Sequence, residues 1–119
     1  MFKDKIILGL NERIKIKSPI NNDEEIIARI DTGATNSSID INLAGKLNLG
    51  PIIKTLMIKS THGKKLRPVI ELEIKMADKT MKAEFTLADR GHMKFPVLIG
   101  QNILKEGFII DPSFMREEK

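Results

Sequence analysis

The run Ile27-Ala28-Arg29-Ile30 ends abruptly on Asp31, Thr32 and Gly33. A carboxylate fixed at the end of a strand can serve as a general base or a general acid if its oxygens are held and its surroundings tune its proton affinity. Thr32 offers a hydroxyl that both donates and accepts, and Gly33 permits a positive φ or a close backbone approach. Backbone N–H groups in such a turn would bond the Asp31 oxygens and favour the charged form. The plainer reading is a simple turn, because Asp and Gly are common turn residues. A second segment, Phe95-Pro96-Val97-Leu98-Ile99-Gly100-Gln101-Asn102-Ile103-Leu104, strengthens the case for chemistry: an apolar strand runs into a glycine and then a short helix.

The elements that must position Asp31 are mostly strands. Arg13 to Lys17, Val69 to Lys75 and Met81 to Leu87 alternate apolar and polar residues, the signature of half-buried antiparallel strands. Turn signals separate them at Ser18-Pro19 with Asn21-Asn22-Asp23, at Gly50-Pro51, at Thr61-His62-Gly63, at Ala77-Asp78-Lys79 and at Arg90-Gly91. Two segments depart from this pattern. Asn42 to Leu49 has helical spacing with Gly50-Pro51 as its stop, and Asn102 to Glu106 reads as a short helix closed by Gly107. Short strands at regular intervals indicate a small barrel or sandwich. The 119 residues fit a single domain spanning 1–119, with a frayed tail at 116–119.

Composition removes other classes. There is no cysteine, so disulfides, thiolate metal sites and a Cys nucleophile are excluded. No apolar run approaches the roughly 20 residues of a membrane helix, and the start of the chain lacks the apolar stretch of a signal peptide. The expectation is a cytoplasmic protein that does not bind membranes. The net charge of +4 is scattered, and with no Trp or Tyr the chain lacks the aromatic stacking platform of a nucleic-acid binder. The same charge suits an acidic peptide. No serine lies in a Gly-x-Ser-x-Gly elbow and there is no phosphate-binding glycine loop. Arg67, Arg90 and Lys94 read as solvated or interface charges, Asp89-Arg90 as a local pair, and Asp111 as a structural turn residue.

Taken together, Ile30-Asp31-Thr32-Gly33-Ala34 and the later Val97-Leu98-Ile99-Gly100-Gln101-Asn102-Ile103-Leu104 resemble the two motifs of a retropepsin-like aspartic peptidase. The resemblance runs from about residue 5 to residue 112. It is nearest to a cellular family described as an "ATP-dependent zinc protease", whose members carry segments similar to Thr86 to Gly100 and to Phe108 to Ser113. It implies a mainly β fold, a small closed barrel with one or two short helices, and a homodimeric endopeptidase acting on a peptide or protein. In that reading Asp31 is catalytic. Thr32 and Gly33 support it, Thr32 bonding across the two-fold axis, while Val97 to Leu104 braces the loop from behind. A flap over the cleft maps onto the hairpin Met57 to Leu66, with His62 and Gly63 at its tip touching substrate.

The chemistry itself is general. Amide hydrolysis needs an activated water and a proton for the leaving nitrogen, and one carboxylate cannot be base and acid at once. This chain has one Asp-Thr-Gly, so the second acid must come from a second copy.

The match also has departures. Retroviral members carry an Asp shortly after the catalytic one and an Arg after the late Gly, whereas this chain has Thr35 and Gln101, which are expected to bond each other as a neutral pair. Two histidines, His62 and His92, with no His-Glu-x-x-His, make a poor zinc set, and no metal or other cofactor is expected. The alternative function is a non-catalytic peptide-binding or dimerisation module. Near relatives often lie beside genes for ligases that add glutamate to proteins, which makes an acidic peptide one candidate substrate.

Overall fold

The computed structural model describes residues 4–20, 22–61 and 63–116. Nine strands and two short helices follow in order: β1 Ile6–Leu8, β2 Asn11–Ile16, β3 Glu24–Ile30, β4 Ser37–Asp40, α1 Ile41–Lys46, β5 Ile52–Ser60, β6 Gly63–Met76, β7 Lys79–Ala88, β8 Val97–Ile99, α2 Gln101–Leu104 and β9 Phe108–Ile110. Strands β2, β3, β8, β4, β7 and β6 pair in that order, and β6 pairs back onto β2, so the sheet closes on itself. This is the closed six-strand barrel of the expected fold class.

Alternation explains the barrel wall. Along β2, Asn11, Arg13 and Lys15 are exposed while Glu12, Ile14 and Ile16 are buried. Ile14, Ile16, Ile39, Ile70, Ile74, Met76, Phe85 and Ile99 are essentially inaccessible and fill the interior. Each such side chain contributes about 1.5–3 kcal/mol relative to exposure. Glu12 breaks the apolar phase and is 4% exposed. It is tolerated because Gly9 N–H donates to its Oε2 at 2.8 Å and Arg116 Nε reaches its Oε1 at 2.9 Å.

The β6–β7 hairpin turns on Ala77 and Asp78, both with positive φ (50° and 65°), the backbone twist that a two-residue hairpin loop requires. Helix α1 begins at Ile41 and ends at Lys46, sooner than the spacing of its apolar residues suggests. Asp40 caps its start, Oδ2 accepting from Leu43 N–H at 3.2 Å. Asn48, at φ 57°, turns the chain left-handed before Gly50 is reached.

Outside the barrel, β1 and β9 form a two-stranded parallel sheet, joining the two ends of the described chain. Strand β5 pairs only with the first half of β6, in a hairpin that reaches beyond the barrel wall. From Ile70, where β6 enters the core, to Gly63 is roughly 20 Å of extended chain. Met57 and Leu66, direct cross-strand partners on this arm, are 53% and 60% exposed. Among the described residues no helix is long and apolar enough to cross a membrane.

Candidate active site

Asp31 emerges where β3 ends. Its N–H donates to the Ile99 carbonyl at 2.9 Å, extending the β3–β8 ladder by one bond. Gly33 N–H donates to Asp31 Oδ1 at 2.9 Å, and Ala34 N–H to the Asp31 carbonyl at 3.3 Å. The carboxylate is therefore pinned through one oxygen by its own turn. Asp31 is half-buried, Thr32 and Gly33 are exposed, and among the described residues no donor reaches Oδ2. Thr32 and Gly33 lie in the same turn as the acid.

The turn is braced from below by the segment after β8. Strand β8 lies between β3, to which it is parallel, and β4, to which it is antiparallel, and so crosses directly beneath the loop 31–36. A Cβ at Gly100 would lie 2.6 Å from the Asn36 carbonyl oxygen and 2.8 Å from that of Ala34, so only glycine permits this crossing. Gln101 N–H donates to the Ala34 carbonyl at 2.7 Å and Asn102 N–H to that of Thr35 at 3.2 Å.

Side chains complete the support. Asn102 Oδ1 accepts from Ser37 N–H at 3.0 Å and from Ser37 Oγ at 2.7 Å, and its Nδ2 donates to the Glu84 carbonyl at 3.0 Å. Ser37 Oγ in turn accepts from Gly100 N–H at 2.9 Å. One half-buried amide thus ties β4, β7 and α2 together under the Asp31 loop. Residue patterning missed Ser37 and Asn102 as a functional pair; the one available signal was a polar Gln101-Asn102 step directly after an apolar strand and Gly100. The expected Thr35–Gln101 bond is not formed. Gln101 Nε2 donates instead to the Thr32 carbonyl at 2.7 Å, while the Thr35 side chain stays exposed. Backbone geometry decides this, because Gly100 brings Gln101 up against the near side of the turn.

Electrostatics around the acid are not what a reading of solvated charges suggests. The Arg90 guanidinium is held below its ordinary pKa, first by burial, then by the positive charge of Arg29, with Asp31 pulling it back up and Arg67 pressing it down further. Arg29, Asp31, Arg67 and Asp40 therefore all lie within electrostatic reach of Arg90. None of the three arginines forms an ion pair with a carboxylate among the described residues, and Arg67 Nε is a buried donor without a partner. Arg90 does not pair with its neighbour Asp89: its N–H donates to Asp40 Oδ1 at 2.8 Å and its Nε to the Phe95 carbonyl at 3.1 Å. Of the expected flap residues, Gly63 sits at the tip of the β5–β6 arm with φ 109°, and His62 lies outside the described residues. Among the described residues no three His, Asp or Glu side chains converge as metal ligands.

The family profile described as RimB-like, "Retropepsin-like aspartic endopeptidase RimB", matches residues 42–118. The chain belongs to this family. The match takes in the barrel from α1 onward, including Gly100 and Asn102, and begins after the Asp31 turn, so for Asp31 itself the geometry above is the evidence. No curated protein matches the chain.

Solved structures share the RimB-like barrel. One is a Legionella pneumophila (strain Philadelphia 1) protein of unknown function, Lpg0085, 23% identical, covering 91% of this chain and 94% of its own at a TM-score of 0.63. The simian foamy virus (mac) protease is 21% identical over 80% of this chain and 91% of its own, with a TM-score of 0.58. The EIAV protease, solved with the inhibitor HBY-793, is 21% identical over 81% of this chain and 85% of its own, with a TM-score of 0.64. These likenesses establish the fold as retropepsin-like.

Proposed function

We propose that this chain is an aspartic endopeptidase that works as a homodimer, each copy contributing Asp31. The observation that carries the reading is the state of that carboxylate: Oδ1 is fixed by Gly33 N–H at 2.9 Å, Oδ2 accepts no bond among the described residues, and Thr32 and Gly33 beside it are exposed. A turn tied down on its inner side and open on its outer side is what a second copy can cover. Two such acids brought within a few ångströms in a poorly solvated cleft share one proton, as both cannot ionise together. The ionised member takes a proton from water as the water attacks the scissile carbonyl. The protonated member stabilises the developing oxyanion and then helps protonate the leaving nitrogen. Apparent pKa values of such a pair belong to both acids together. The β5–β6 arm is the lid in this reading, pairing with an extended peptide and excluding water.

Arg29, Arg67 and Arg90 support an acidic peptide as substrate. Arg90 lies within electrostatic reach of Arg29 and Arg67 as well as of Asp31, Arg67 carries a buried Nε donor without a partner, and guanidinium groups suit bidentate binding of substrate side-chain carboxylates.

Asp31→Asn tests the catalytic reading. The variant is expected to keep its fold and its dimer mass in analytical ultracentrifugation and to lose cleavage of acidic peptides between pH 4 and 7. Undiminished cleavage would remove Asp31 from the mechanism. A wild-type protein that is strictly monomeric while active would remove the shared proton.

A further inference from the structure

The geometry points to Gln101 as a positioning residue for Asp31, acting through a single peptide plane. The Thr32 carbonyl and the Gly33 N–H belong to the same peptide unit. Gln101 Nε2 holds the oxygen end of that unit at 2.7 Å, and Asp31 Oδ1 accepts from its nitrogen end at 2.9 Å. The two bonds run in series, so each polarises the peptide between them and strengthens the other. Among the described residues no other donor reaches the Thr32 carbonyl. Gln101 also holds the far side of the turn, its backbone N–H donating to the Ala34 carbonyl at 2.7 Å. Without the side chain, the Thr32–Gly33 plane is free to tilt, and the N–H that orients the carboxylate tilts with it. The amide provides this grip without placing a charge beside the acid. Gln101 is exposed and packs no core, so its loss should leave the barrel intact.

This assignment rests on the catalytic reading of Asp31 for its kinetic consequences, but not for its structural one. Three variants separate grip from charge. Gln101→Ala removes the donor. It should lower kcat about five- to tenfold, the scale of one lost hydrogen bond, with little change in KM. Gln101→Lys restores a donor and adds a positive charge, so kcat should recover toward wild type. Gln101→Glu sets an acceptor against the Thr32 carbonyl and should do no better than alanine.

The independent readout is NMR: in Gln101→Ala the Gly33 amide resonance should shift as its bond to Asp31 weakens. An unmoved Gly33 resonance with unchanged kcat overturns the assignment. A wild-type chain that cleaves nothing counts against the catalytic reading alone. In that case the Gly33 resonance still decides on Gln101, a shift supporting the grip and no shift refuting it.

Discussion

Truncating Asn102 to alanine should cost this small barrel a large part of its stability, and the cost can be counted. The side chain makes three hydrogen bonds: from Ser37 N–H at 3.0 Å, from Ser37 Oγ at 2.7 Å, and to the Glu84 carbonyl at 3.0 Å. Each is worth about 1 kcal/mol net. Ser37 is fully buried (0% exposed), so its N–H is left without water as a substitute, and the penalty for an orphaned buried donor applies. The Ser37 hydroxyl can still accept from Gly100 N–H, which limits the damage. The sum is about 3–4 kcal/mol against a total of roughly 5–15 kcal/mol for a domain of this kind. Lacking Trp and Tyr, the chain is best followed by far-UV circular dichroism in urea. With a slope of about 1.5 kcal/mol/M, the midpoint should fall by about 2 M at unchanged slope. A double-mutant cycle with Ser37→Ala should give a coupling of about 1–2 kcal/mol. A midpoint shift under ~0.5 M, or additive single effects, would show that the amide under the Asp31 loop is not a structural tie and that the loop is held by backbone bonds alone.

Three further outcomes are expected. Arg67→Met keeps the aliphatic stem and removes the unpartnered guanidinium; KM for a glutamate-rich peptide should rise about tenfold while a neutral peptide is unaffected, and an equal change for both would refute carboxylate recognition at this residue. Arg116→Ala strips the cation from Glu12, whose side chain is 2% exposed; because Arg116 itself is 31% exposed, a loss of about 2 kcal/mol, below the ~3–5 of a fully buried pair, should appear in the same urea assay. Asp111 has its pKa lowered by the Ser113 hydroxyl and then by the Ser113 N–H. A depressed carboxylate favours the fold above its unfolded pKa and loses that contribution as pH falls through the folded value. Ser113→Ala should therefore move the Asp111 titration upward in a carboxyl NMR experiment, and an unmoved titration would exclude the hydroxyl as the main cause.

The parts of this molecule that were legible in its residues are those that depend on one element at a time. Alternation in Arg13 to Lys17, Val69 to Lys75 and Met81 to Leu87 marks three barrel strands because a pleated wall with one wet face imposes period two. Asp31, Thr32 and Gly33 were legible as a unit because a turn is a local object. What stayed hidden depends on elements distant in sequence. Strand β4 is four residues long, Ser37–Asp40, and the side chains of Ser37 and Asp40 find their partners on α1, on α2, at Gly100 after β8 and in the loop after β7. Nothing in Ser37-Ser38-Ile39-Asp40 announces a buried strand until Asn102 and Arg90 are in place. Glu12 occupies the inward phase of β2 and would have been read as an error but for Arg116 and Gly9. The same reasoning covers the arginines: Arg29, Arg67 and Arg90 sit on β3, on β6 and in the loop after β7, each an unremarkable surface charge along its own segment. Only barrel closure brings Arg29 and Arg67 within electrostatic reach of Arg90, together with Asp31 and Asp40, which is why this grouping of charges is a property of topology and no single motif could carry it.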